Sequence, residues 1–266
     1  MKNLYWLSIA FGLVVSGFFL AGRRFTEVGL LGALICAGLT LGLGFWWFRP
    51  RPMWQGILWG ALAQPVVFSL NNQMVGISDK LWITHLDAAL YSPLPEETIK
   101  LLGVVIIIAA FGSVRHPYQA AAIGMAVGLG FNAMENVPFI LHAAIDNLDG
   151  DLWGVLITGT GRILTGAFSH ALYTGVAAWG VGKLYAGARH GYWQVAGFWL
   201  AAIALHTLFN ASLIITGDWP VTFFLTALIT WTLIIWGLRF MRKQDRKYAA
   251  QSSENVLSTK DPEYSS

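Results

Sequence analysis

Apolar runs, each about as long as a bilayer is thick, alternate along this chain with short polar breaks. A helix needs about 20 predominantly apolar residues to cross the hydrocarbon layer. Such runs occupy residues 4–21, 28–48, 54–70, 96–111, 119–141, 193–215 and 221–240, and another lies within 152–185. The pattern predicts an all-α fold, a polytopic transmembrane helix bundle of about eight spans. These make a single domain over 1–240, followed by a charged, then Ser-rich tail at 241–266 that is expected to be disordered. Only Lys2 precedes the first run, and no small-x-small cleavage pattern lies ahead of Arg23, so the run reads as a retained helix rather than a signal peptide. A mixed, Pro-containing stretch follows the third run. Its part at 74–93 is read as an interfacial segment that shields the site or gates the substrate.

Composition sharpens the class. Of 266 residues, 56% are hydrophobic and 12% charged, whereas a soluble domain carries about 25% charged residues. Mean hydropathy is +0.57. Thirteen Trp suit the interfaces on either side of a bilayer. The single cysteine, Cys36, allows neither an intramolecular disulfide nor a cysteine metal site, and reads as an inert thiol. The net charge of +3 comes largely from the C-terminal region and does not indicate a nucleic-acid partner. Loop charges set orientation. Arg239, Arg242, Lys243, Arg246 and Lys247 place the C-terminus in the cytoplasm, and counting back puts Lys183, Arg189, Arg115, Arg49 and Arg51 inside. The acidic loop with Asp146, Asp149 and Asp151 then faces out, and both termini are cytoplasmic. Arg23 and Arg24 run against this pattern, because they fall outside.

Ionisable groups within spans are costly, about 2.5–3.5 kcal/mol each at a helix centre on insertion scales, and usually face a protein interior. Glu96, Glu97 and Lys100 open the fourth span, with Glu96 and Lys100 on one helix face. Alone, they also read as a capped helix start carrying a surface ion pair. Glu135 lies deep in the fifth span, as a reactive carboxylate or as the ion-pair partner of Lys100 or Arg162. His170, with Ser169 and Tyr173 nearby, and His206, one turn from Asn210, are each also consistent with interhelical hydrogen bonding. Depth joins them. With the sixth span starting near Arg162, after a break at Gly159-Thr160-Gly161, Glu135, His170 and His206 lie about 9–14 Å below the outer face at 1.5 Å per residue. Glu96 and Glu97 enter at that level. His85, His116, His142 and His190 fall in or near loops.

Two chemistries suit this set. Two His plus carboxylates can bind Zn²⁺, which activates water while a further Glu takes the proton. Without a metal, Glu and His activate water directly, and Asn210 and the other His stabilise the oxyanion. Neither HExxH nor GxSxG is present.

The ordered residues Glu96-Glu97-x-x-Lys100, Phe131-x-x-x-Glu135-Asn136, His170 and His206-x-x-x-Asn210 resemble the PrsW intramembrane proteases, relatives of the CAAX-processing and bacteriocin-immunity proteases. That wider group carries EExxxR, FxxxH and HxxxN/D motifs on a bundle of helices. Here Lys100 stands one residue ahead of the arginine position, and Glu135 replaces the second-motif histidine, which is the PrsW-type variant. The resemblance covers 94–214, the site-carrying part of the chain. It implies proteolysis of a single-span, membrane-anchored substrate near the outer face of the inner (plasma) membrane, an anti-sigma-type regulator among the candidates. It also implies catalytic roles for Glu96, Glu97, Glu135, His170, His206 and Asn210, with the general base among Glu96 and Glu97. Glu135, His170 and His206 are the metal ligands it suggests, for Zn²⁺. The alternative from another class is a proton-coupled transporter using the same Glu, His and Arg groups. No inverted repeat supports it, and the polar groups share one level rather than forming a path.

Overall fold

The structure, a computed structural model, describes residues 1–48, 53–80, 91–112, 114, 116–216 and 220–258. These are helical almost throughout, in the order α1 (Lys2–Ala21), α2 (Glu27–Phe48), α3 (Met53–Lys80), α4 (Pro93–Phe111), α5 (Pro117–Asp146), α6 (Asp151–Gly166), α7 (Ser169–Tyr185), α8 (Gly191–Thr216) and α9 (Pro220–Ser258). Among the described residues, α1, α2 and α8 contain stretches long and apolar enough to cross a membrane by length and composition. Large apolar side chains point outward, with Phe18 77% and Trp46 70% exposed, while Glu97 and Lys100 are fully buried. This distribution, apolar outside and charged inside, suits a lipid solvent.

Helix α5 is the axis of the bundle, 30 residues long and buried along most of its length. It packs against α2, α3, α6 and α7. Between helices in lipid there is little hydrophobic drive, so close backbone approach matters most. Small residues permit it. A Cβ on Gly60 of α3 would lie 1.9 Å from the Val127 carbonyl oxygen of α5, and one on Gly128 of α5 would lie 2.2 Å from the His170 carbonyl oxygen of α7. The second contact sets where His170 stands relative to Glu135. On α4, the Trp59 indole of α3 donates to the Ile99 carbonyl at 3.2 Å, which fixes the rotation that turns Glu96, Glu97 and Lys100 inward.

Three boundaries differ from expectation. Residues 152–185 hold two helices, and the chain breaks at Ala167–Phe168 rather than at Gly159-Thr160-Gly161, which stays helical. Tertiary contacts hold this break. Asn132 Nδ2 donates to the Ala167 carbonyl at 2.8 Å, satisfying an acceptor near the end of α6. The buried Phe168 ring packs edge-on against Trp231, 5.5 Å away. Arg162 therefore belongs to α6 and His170 to α7. Helix α3 continues to Lys80, past the expected end at 70, and α9 continues to Ser258, into the tail expected to be disordered. His85 and positions 81–90 of the 74–93 segment lie outside the described residues.

Candidate active site

The first turns of α4 carry the core of the site. Lys100 lies one turn beyond both glutamates, and its Nζ donates to Glu97 Oε1 at 2.9 Å and to Glu96 Oε2 at 3.3 Å. The ammonium also lies 2.7 Å from His170 Nδ1 and 3.8 Å from the centre of the Phe131 ring. An ammonium only donates, so Nδ1 of His170 is an acceptor and its proton belongs on Nε2. That nitrogen donates to Glu135 Oε2 at 3.1 Å. The same oxygen accepts from an Arg162 terminal nitrogen at 2.5 Å, and Arg162 Nε donates to Asn136 Oδ1. Of the two cations that the sequence offered as partners for Glu135, the one it pairs with is Arg162.

The two adjacent glutamates diverge. Glu97 is fully buried. Besides Lys100, it accepts from Thr174 Oγ1 at 3.3 Å and from His206 Nδ1 at 3.1 Å. Glu96 accepts from Asn71 Nδ2 at 3.3 Å and lines a cavity of ≈ 630 Å³. His206, Asn210, Glu135, His170 and Arg162 line this cavity too, while Glu97 does not. With Nδ1–H committed to Glu97, His206 keeps a lone pair on Nε2, and this atom stands 3.9 Å from Glu96 Oε2. Tyr173 stacks on the His206 ring, with centroids 5.1 Å apart and planes 20° from parallel. Asn210 Nδ2 donates to Ser92 Oγ at 3.3 Å at the cavity edge.

All six residues singled out from the sequence thus meet at or beside one cavity, drawn from α4, α5, α7 and α8. Asn71, Ser92 and Thr174 were missed. Asn71 carried a usable signal, since Gln64 and Asn71 stand two helical turns apart on α3 and both line the cavity. The fall in hydropathy at Asn71-Asn72-Gln73 instead read as the end of a span.

By residue type and spacing the donor set suits a metal, with the Lys100 ammonium now bonded to three of its four members. Glu96, Glu97, His170 and His206 each offer a ligand atom, all within 4.8 Å of one another. Two imidazoles and two carboxylates suit a divalent ion of zinc's type. Three carboxylates against the cations Lys100 and Arg162 also leave the cluster one negative charge in excess. Glu135, expected as a ligand, lies outside that group, with its Oε2 occupied by Arg162 and His170.

Comparison with curated proteins and with solved structures gave no match. A family model described as PrsW family intramembrane metalloprotease matches residues 49–237. That span covers most of the chain and contains every site residue above, so the chain belongs to the PrsW family of intramembrane metalloproteases.

Proposed function

We propose that this membrane protease hydrolyses a peptide bond of a single-span membrane protein, an anti-sigma-type regulator being one candidate class, within the cavity edged by Glu96 and His206. The observation that carries the proposal is the 3.9 Å gap between Glu96 Oε2 and His206 Nε2 at the cavity wall. It is too wide for a direct hydrogen bond and suits a water held by both atoms. Glu96 is the general base, taking the water's proton and passing it to the departing amine. Glu97 is a positioning residue: it holds the His206 ring by Nδ1–H so that Nε2 faces Glu96. Glu135 likewise positions His170. Asn210 Nδ2–H, at the cavity edge, is the donor offered to the carbonyl oxygen as it gains charge.

The metal would be held first through His206 Nε2 and an oxygen of Glu96, with Glu97 and His170 adding ligand atoms once Lys100 gives them up, and we take Zn²⁺ as the ion. When bound, such an ion lowers the pKa of water and polarises the scissile carbonyl.

The membrane arrangement proposed is eight crossings with both termini cytoplasmic, in the inner membrane, α6 and α7 sharing one crossing. Helix lengths support an outward site. Glu96 lies fifteen residues from Phe111, His170 fifteen from Tyr185, and His206 fifteen from Gly191, each counted from the helix end assigned to the inner side. At 1.5 Å per residue that is about 22 Å, in the outer half of a hydrocarbon layer about 30 Å thick.

The test is cleavage of a library of tagged single-span proteins by the reconstituted full chain, against Glu96→Gln and His206→Ala, with and without a zinc chelator. Cleavage lost in both variants, lost on chelation and restored by Zn²⁺ is the expected result. Full cleavage by both variants would overturn the site assignment. Activity indifferent to chelation would overturn the metal assignment and leave water activation to Glu96 and His206.

A further inference from the structure

Arg23 and Arg24 are the basic residues that loop orientation leaves unexplained. They lie in the link at 22–26 between α1 and α2, two helices that are each long and apolar enough to cross a membrane. A link this short between two crossings lies at a bilayer surface, at the level of the lipid headgroups. There the arginines face the last turns of α5, where His142 and Asp146 stand, and together these elements border an open pocket of ≈ 580 Å³.

The pocket is separate from the catalytic cluster and is built around Arg23. The guanidinium carbon lies 4.2 Å from the centre of the Phe19 ring and 5.0 Å from that of Phe68, and the two rings meet edge to face at 5.1 Å. Aromatic contacts fix the plane of the guanidinium and leave its terminal N–H groups as the binding element. Its Nε is buried without a hydrogen-bond partner among the described residues. Partial burial pushes its pKa below the usual arginine value. Asp146 is the acidic residue of the pocket, mostly exposed and 3.5 Å from His142 Nδ1. Two arginines against one aspartate leave the pocket cationic.

We propose that this pocket binds the phosphate group of a membrane phospholipid, with the Arg23 fork on the phosphate oxygens and Arg24 as second cation. A planar fork of N–H donors matches a phosphate, and at headgroup level phosphate is the abundant anion. Phe18 and Phe25, both exposed beside the link, offer apolar surface to the acyl chains. The site does not depend on the catalytic assignment, although Phe68 also forms part of the wall of the catalytic cavity.

Native mass spectrometry of the full chain in mild detergent tests this, with phosphatidylglycerol added to wild type, Arg23→Gln, Arg24→Gln and, as control, Lys243→Gln. Circular dichroism checks that each variant is folded. Wild type and the control are expected to retain one phospholipid that Arg23→Gln holds about tenfold or more weakly, the scale of a lost charge-assisted hydrogen bond. Arg24, whose side chain is exposed, gives a variant less prone to misfold, and it too must bind more weakly. In a parallel arm, inorganic phosphate at the lipid's own concentration should leave the retained lipid in place. Equal retention by wild type and both arginine variants would overturn the proposal. Displacement by inorganic phosphate at that concentration would overturn the lipid assignment and make the pocket a site for free anions.

Discussion

Removing the charge of Lys100 while keeping its bulk, as in Lys100→Met, is expected to destabilise the fold by about 3–5 kcal/mol, the cost of breaking a buried ion pair by deleting one partner. The estimate rests on burial and on what is left behind. Lys100 is fully buried, so its ammonium meets no water. All three of its N–H donors have partners, on Glu96, Glu97 and His170. Methionine fills most of the volume, so the cavity term is small, and what remains is two neighbouring buried carboxylates without their cation. Denaturant unfolding of the full chain in detergent, followed by the loss of helical signal, measures the change. Charge as the cause has its own signature. Adding Glu97→Gln to Lys100→Met removes one orphaned carboxylate and should recover part of the loss, while Glu97→Gln alone should destabilise. If the double variant were no more stable than Lys100→Met, or if Lys100→Met unfolded like wild type, the view of Lys100 as the electrostatic centre of the site would be refuted.

Three further outcomes follow from the same geometry. Glu96→Gln should abolish cleavage in the folded protein, whereas Glu97→Gln should leave a residual rate with an altered pH profile; identical profiles for the two would remove the distinction between base and positioning residue. Arg162→Met should destabilise by about 1–3 kcal/mol, less than a fully buried pair because both partners are partly exposed, and the same unfolding assay reads it. Gly128→Ala should impair folding and cleavage together, since its methyl would meet the His170 carbonyl oxygen at 2.2 Å; a variant with wild-type unfolding would mean that the α5–α7 contact is looser than described.

The site was legible in the sequence to the extent that lipid makes polar residues conspicuous. Glu135, His170 and His206 stand in apolar surroundings and drew attention by cost alone. The spacing of Glu96, Glu97 and Lys100 on one helical turn needed no tertiary knowledge either. What stayed hidden depends on partners distant in the chain. The break at Ala167–Phe168 is held by Asn132 and Trp231, so the local sequence favoured the glycines at 159 and 161 instead. Asn71 was hidden because a polar run ends a span on a hydropathy scale, yet is comfortable on a helix that borders a polar cavity. Residue type offered Glu135 as a metal ligand, as a general base or as the partner of Lys100 or Arg162. Its commitment to Arg162 arises from how α5 and α6 cross, which spacing along either helix does not encode.

Hydrogen-bond capacity explains why this cluster has one reactive edge rather than several. Lys100 has no donor left over. His170 has both nitrogens engaged, by Lys100 and by Glu135. Glu97 accepts from Lys100, His206 and Thr174, three of the roughly four bonds a carboxylate can take. Glu96 accepts two, from Asn71 and Lys100. His206 Nε2 has no partner within hydrogen-bond reach among the described residues, Glu96 Oε2 at 3.9 Å being an ion-pair neighbour only. Unfilled capacity in a buried polar network is costly wherever it lies, and here it collects on groups that border the cavity: Glu96, His206 Nε2 and Glu135, which accepts two bonds, both on Oε2. The interior charges satisfy one another and so hold the bundle together. The remainder, carboxylate oxygens of Glu96 and Glu135 and one imidazole nitrogen of His206, is what the protein presents to water, to a metal and to a peptide bond.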